Sequence, residues 1–267
     1  MCTLTFIPRE HGYLIGMNRD ERILRGPAAP PQRVESSNAI AVFPRDGAGG
    51  TWIASNDAGI TLALLNWNDV CPQALPSTEN RTRGELIPAL IHDGSLHEVS
   101  QALAKFDCSA MLPFRLVGIF EAEKEIQEWR WDRKQLTSLP HSWKLQHWFS
   151  SGLSDERALV ERGALCALAQ QEGDAGSTPW LRRLHTAHGE APGPFSVCVH
   201  RDAVETLSYT EVECGRQKMR FRYFAGSPCR TRNPPSALEL KRRQRGEKSS
   251  DTQQAETTPY SQCSKQK

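Results

Sequence analysis

The chain has 267 residues, with 33 Lys and Arg set against 31 Asp and Glu, for a net charge of +2. That balance argues against nucleic acid or an anionic membrane as the main partner. The length suffices for one large domain with a substantial core, and 8 cysteines without a CxxC pair, in a chain this large, read as reduced and structural rather than as a disulfide scaffold.

At the N-terminus, Leu4 and Phe6 alternate with Thr3 and Thr5, and a second apolar run from Gly12 to Asn18 follows the polar turn REHG. The two runs read as a β-hairpin. The run CTLTFIP stops at Pro8 and Arg9, too short for a signal sequence or a membrane span, so the expected location is the cytosol and no integral membrane segment is expected. Pro27, Pro30 and Pro31 mark RGPAAPPQR as loop, because proline removes backbone donors. In TWIASNDAGITLALLNW two β-rich runs flank Asn56-Asp57-Ala58-Gly59, which reads as a second hairpin.

From Arg83 the period changes. Leu86, Leu90, Leu96, Val99, Leu103 and Phe106 space as two amphipathic helices broken at Asp93-Gly94, with Ser95 as an N-cap. FRLVGIFEA, EIQEWRWD and KLQHWFSSG return to strand patterns, and Ser154 caps a helix with Asp155 and Glu156 in its first turn. A short helix around Trp180 to His188 precedes three closing strands, FSVCVH, VETLSYTEVE and MRFRYFAG. Residues 230–267 are polar and charged with few large apolar side chains, so a disordered tail with one helical turn near Leu238 is expected beyond a single domain spanning 1–229. Strands and helices in this order indicate an α+β domain with helices outside sheets.

Cys2 directly follows Met1. If Met1 is removed, one residue carries a thiol and an α-amine whose ordinary pKa of about 7.7 to 8.0 suits it to accept the thiol proton. If Met1 stays, Cys2 is a small strand residue. The second strand ends in Asn18, Arg19, Asp20 and Glu21, and hairpin pairing brings that end beside Cys2. A cation there lowers the thiol pKa and a carboxylate holds the amine. Alternation places Arg19 and Asp20 on opposite faces, so either one leaves the site or the strand is distorted. Asn66, ending the ITLALLN run, is a candidate oxyanion donor and equally a strand-ending turn residue.

His185 and His188 form an i,i+3 pair, but no HExxH motif or carboxylate partner follows, so no metal site is expected and surface histidines are the simpler reading. Trp52, Trp67, Trp129, Trp131, Trp143 and Trp148 lie on or beside strands, where they suit a core between sheets better than a ligand groove.

The stretches MC, MNRDE, GGTWIASNDAGITLALLNW and RTRGEL, with the later FSSGLSD and FSVCVHRDAVETLSYTE, together resemble the NRDE family, the Transport and Golgi organisation 2-like proteins. The resemblance spans about residues 1 to 230. It implies a fold similar to the N-terminal nucleophile hydrolases, a four-layer αββα sandwich of two mainly antiparallel sheets. It implies Cys2 as nucleophile, Arg19 and Asp20 as thiolate-stabilising and amine-positioning groups, and Asn66 as oxyanion donor. Related bile-salt hydrolases and penicillin V acylases space the arginine and aspartate three residues apart, whereas Arg19 and Asp20 are adjacent. The expected activity is hydrolysis or acyl transfer at a non-peptide amide C–N bond through an acyl-thioester on Cys2, with a small-molecule amide or acyl partner and no cofactor. The resemblance also implies an alternative, a non-catalytic haem, acyl-CoA or lipid carrier, with His185 and His188 as the pair that could bind haem iron.

Overall fold

The computed structural model describes residues 2–70 and 81–243. Strands β1 (Cys2–Arg9) and β2 (Gly12–Arg22) form the expected hairpin, with Cys2 opposite Arg19. Gly12 has φ +121°, and a Cβ there would meet the Cys214 carbonyl oxygen at 1.9 Å, so only glycine fits this turn. Strands β3 (Ala29–Glu35), β4 (Ile40–Arg45), β5 (Ile53–Asn56) and β6 (Ile60–Asn66) follow. The expected β5–β6 turn is held by Asn56, whose Oδ1 accepts from the amides of Ala58 and Ile60.

Helices α1 (Leu86–Leu90) and α2 (Leu96–Lys105) come next, with the Ser95 hydroxyl accepting from the Glu98 amide as the expected cap. Strands β7 (Phe114–Phe120), β8 (Glu125–Trp131), β9 (Leu136–His141) and β10 (Gln146–Ser150) lead into α3 (Asp155–Ala169), capped by Ser154, and α4 (Thr178–Thr186). Strands β11 (His200–Arg201), β12 (Val204–Cys214), β13 (Lys218–Ala225) and β14 (Ser236–Lys241) complete the described chain.

The strands form two sheets with antiparallel pairing. One runs β10-β1-β2-β12-β13-β14, with β11 added at β12, and the other runs β3 to β9 in sequence order. Three apolar layers separate four structural ones. Leu4, Phe6, Ile15 and Met17 meet Ile53, Val117 and Ile119 between the sheets. Leu86, Leu90, Val99 and Leu103 of α1 and α2 cover Leu62, Leu116 and Phe120 on the second sheet. Ala158, Cys166, Trp180 and Leu184 of α3 and α4 cover Ile7, Leu14 and Phe149 on the first. The result is the expected αββα sandwich, and each buried Leu, Ile or Phe stabilises it by about 1.5–3 kcal/mol.

Glu128 pins the sheets together. Fully buried on β8, it accepts from Arg115 at 2.6 Å, Arg130 at 2.8 Å, His141 at 2.7 Å and, across the sandwich, the Trp148 indole of β10 at 3.3 Å. Arg115 also reaches the Phe149 carbonyl at 3.0 Å.

Four expectations are corrected. The Pro30-Pro31 segment is strand β3, tolerated because β3 is an edge strand and its register slips between Ala29 and Gln32. FSVCVH contributes only the two-residue β11, since its amides turn to other partners, Cys198 N to Ala187 O and Val199 N to the Thr206 hydroxyl. The region expected as a tail from 230 includes β14, which completes the sheet edge beside β13 and buries Leu240 in the core, so Leu238 lies in a strand rather than a helical turn. Residues 244–267 of that tail lie outside the described residues. Finally, Trp129 and Trp131 pack on the helix side of the second sheet, while Trp52 and Trp148 lie between the sheets.

Candidate active site

Cys2 opens β1, between β2 and the edge strand β10, flanked by Arg19 of β2 and Ser150 of β10. Its backbone nitrogen donates to the Ser150 hydroxyl at 2.9 Å. Cys2, Leu4 and Phe6 face the inter-sheet core with Ile15 and Met17, which puts Arg19 on the same face as the Cys2 side chain. The Arg19 guanidinium lies 4.4 Å from the ring centre of Trp52.

Asn18 and Asp20 take the other face, toward the helices. Asn18 donates to the carbonyls of His185 at 2.9 Å and Val197 at 2.8 Å. Asp20 accepts from the Thr206 hydroxyl through Oδ1 at 2.7 Å, whereas its Oδ2 is buried without a hydrogen bond and lies 3.5 Å from Arg162 Nη2. Arg162, fully buried on α3, also donates to the Thr3 hydroxyl at 2.8 Å and the Cys2 carbonyl at 3.4 Å. Cys2 and Asp20 are thus tied to one guanidinium.

Despite facing opposite ways, Arg19 and Asp20 both line one cavity of about 110 Å³, together with Cys2 and Asn66. β2 itself pairs with β1 without a shift from Gly12 to Arg19, so the distortion expected in that strand is not found there, and the irregularity lies in β12. The β2–β12 register slips between Thr206 and Ser208, the partners of Asp20 and Arg19. The opposite wall comes from the second sheet and its connection to α1. Asn66 ends β6, and Thr82, Arg83 and Gly84 close the side, held by the bond from Thr51 N to Gly84 O at 3.0 Å. Gly50 and Gly84 touch so closely that a Cβ on Gly50 would sit 2.9 Å from the Gly84 Cα. This contact joins the GGTW and RTRGEL stretches.

Burial is the largest influence on Cys2 and Asp20. It pushes the Cys2 thiol up, as does the Asp20 carboxylate, while Arg19 and a hydrogen bond from the Asp20 backbone pull it down. Burial raises Asp20 as well, against Arg162 and the Thr206 hydroxyl. Burial thus favours the neutral form of both Cys2 and Asp20, whose side chains lie on opposite faces of the first sheet.

Sequence reasoning missed Arg162, Ser150 and Thr206. Arg162 carried a signal, since it stands at i+4 from Ala158 and i−4 from Cys166 on the buried stripe of α3, where an apolar residue is expected. The proposed His185–His188 pair is divided. His185 is fully buried, donating to or accepting from the Thr5 hydroxyl at 3.0 Å, with burial lowering its pKa to about 3, while His188 sits beyond the end of α4 near His200.

Two stacked antiparallel sheets between helical layers are a fold similar to that of the N-terminal nucleophile hydrolases. The chain is similar to penicillin V acylase from Agrobacterium tumefaciens, with a TM-score of 0.51 and 11% identity over 90% of this chain and 86% of that one. It is similar to conjugated bile acid hydrolase from Clostridium perfringens, in a cysteine-to-alanine mutant at TM-score 0.50 and 10% identity over 90% and 92% of the two chains. A second variant of that hydrolase gives TM-score 0.55 and 11% identity over 89% and 92%. Residues 1–165 match the Transport and Golgi organisation 2 family, and the chain belongs to it. No curated protein sequence matches it.

Proposed function

We propose that this protein, once Met1 is removed, is a cysteine amidohydrolase or acyltransferase acting on a non-peptide amide C–N bond. The observation that carries the reading is the convergence of Cys2, Arg19, Asp20 and Asn66 on one cavity from strands of both sheets. The α-amine takes the Cys2 thiol proton, and the thiolate attacks the amide carbonyl carbon. The carbonyl oxygen gains charge opposite Asn66, whose side chain has no hydrogen bond to other described residues and is free to donate. The ammonium returns its proton to the leaving nitrogen, the C–N bond breaks, and an acyl-thioester remains on Cys2. Water, or a second amine, then attacks the thioester and restores the thiol. Ser150 and the Arg162–Asp20 pair fix the amine, and Arg19 favours the thiolate.

A cavity of about 110 Å³ accepts a scissile bond with its immediate substituents and leaves the rest of the substrate outside. Its walls carry Arg19, Arg25 and Arg83 beside Asp20, Glu21 and Asp46, which suits a polar amide. That charged lining suits a polar amide better than a haem, acyl-CoA or lipid, and His185 and His188 do not face one another as a haem-ligand pair. The six described cysteines are free thiols, and a cytoplasmic setting is part of the proposed reading. No described helix is long and apolar enough to cross a membrane.

The test is mass spectrometry of the protein isolated from its own cell, followed by incubation with a panel of N-acyl amines and acid quenching. The expected result is a Cys2 N-terminus and an acyl mass on the first peptide. A retained Met1 on the folded protein, or substrate turnover undiminished in Cys2→Ala, overturns the reading.

A further inference from the structure

On the outer side of the first sheet, away from the cavity, His188, Cys198, His200 and Cys229 come together. Each offers one ligand atom, and the four atoms lie within 4.8 Å of one another. Cys198 Sγ is 3.7 Å from His200 Nε2, which is 3.2 Å from Cys229 Sγ. A tetrahedral zinc with bonds of about 2.3 Å to sulfur and about 2.0–2.1 Å to nitrogen separates neighbouring donors by about 3.3–3.8 Å. The observed 3.7 Å falls within that range and the 3.2 Å just below it.

The backbone builds this cluster from three segments. The chain after α4 doubles back so that Cys198 N bonds to Ala187 O, which sets Cys198 beside His188, and the Ser196 hydroxyl closes the same loop on the His188 carbonyl at 2.9 Å. His200 opens β11. Cys229 arrives from the turn after β13, where Arg230 N and Thr231 N bond to Ser227 O. The surroundings suit a cation. The Ser227 hydroxyl is 3.4 Å from each sulfur, placed to donate to thiolates, and Glu205 Oε2 lies 3.7 Å from the His200 Nδ1. His188 Nε2 is buried with no hydrogen-bond partner. Arg230, a nearby positive group, is paired with Glu205 at 3.3 Å.

We propose that His188, Cys198, His200 and Cys229 form a Cys2His2 site that binds one Zn²⁺. Binding replaces two thiol protons, which leave to solvent, so two thiolates neutralise the dication and two neutral imidazoles complete the shell. Four protein donors leave no open position, and the ion acts as a clip. It fastens the loop after α4 to the chain that leaves β13 for β14. It also braces the candidate active site, a consequence that rests on the function proposed above. Val199, between two of the ligands, donates its amide to the Thr206 hydroxyl at 2.8 Å, and that hydroxyl donates to Asp20.

The test is metal analysis of the full chain purified without chelator, with cobalt titration of the chelated protein. One zinc per chain is expected, and cobalt is expected to give visible ligand-field bands of tetrahedral intensity with a thiolate charge-transfer band. Cys229→Ser and His188→Gln should each lose the zinc, while Cys2→Ala retains it, which separates failure of this site from failure of the nucleophile. The cobalt spectrum needs no variant and holds even if Cys229→Ser does not fold. Absence of zinc together with absence of the thiolate band overturns the proposal, as does a Cys198–Cys229 disulfide in the protein as isolated.

Discussion

Glu128 and Asp20 are both buried carboxylates on strands facing charged neighbours, yet they are treated in opposite ways. Glu128 has both oxygens saturated by Arg115, Arg130, His141 and Trp148, and these partners hold it well below the usual carboxylate range despite its burial. Asp20 has one oxygen bonded to Thr206 and the other without a hydrogen bond, and burial outweighs Arg162 so that its pKa rises. A saturated charge fixes two sheets in register. Asp20 leaves one buried oxygen without a hydrogen bond, and on the function proposed above that oxygen is where a free α-amine would find its partner.

The largest effect that tests this contrast falls on the site. Cys2→Ala should lower amide turnover by at least about 10⁴-fold, since removing a nucleophile removes the covalent route. Its urea midpoint should move little, because a thiol-to-methyl change in this core is small. Next comes the structural carboxylate. Glu128→Ala leaves two guanidiniums and a histidine without their counter-ion and should cost about 3–5 kcal/mol in urea unfolding, while Cys2 in the remaining folded protein labels with a thiol probe at the wild-type rate. Smaller again, Asp20→Asn should lower turnover by about 10²-fold through loss of amine positioning and proton handling, with a stability change well below that of Glu128→Ala. If Asp20→Asn proves the more destabilising of the two, Asp20 is a structural pin like Glu128 and the contrast fails.

Features written in local sequence were legible. The REHG and NDAG turns, the Ser95 and Ser154 caps and the alternation of β1 all depend on neighbours within a few residues, and each stands where it was expected. The site was half legible for the same reason. A hairpin obliges its two open ends to meet, which placed Arg19 and Asp20 beside Cys2, and Asn66 ended a recognisable strand. What remained hidden depends on pairing across long separations. β3 and β14 exist because a sheet edge offers them partners, which no proline count or polarity measure reveals. Arg162 reaches Thr3 from 159 positions away, and Glu128 reaches Trp148 in the other sheet. The His188, Cys198, His200 and Cys229 spacings match no familiar ligand motif, because the loops that gather them belong to different strands.

The smallest effect is also the one that most directly separates the two carboxylates, because their pH dependences have opposite signs. Glu128 has a folded pKa below its unfolded value of about 4.3. Its contribution to stability is therefore complete above that value and is lost as pH falls toward the folded pKa. The stability gap between wild type and Glu128→Gln should be widest near neutral pH and narrow on acidification. Asp20 has a folded pKa above its unfolded value, so its contribution is complete in acid and is lost as pH rises through the folded pKa. Relative to Asp20→Asn, the wild type should gain stability as pH falls, by no more than about 1.4 kcal/mol per pH unit for one proton. Urea unfolding of the three proteins at several pH values between acid and neutral gives both gaps. Curves that narrow together on acidification would mean that Asp20 is as fully paired as Glu128, and the buried oxygen facing Arg162 would then have no part in holding the Cys2 amine.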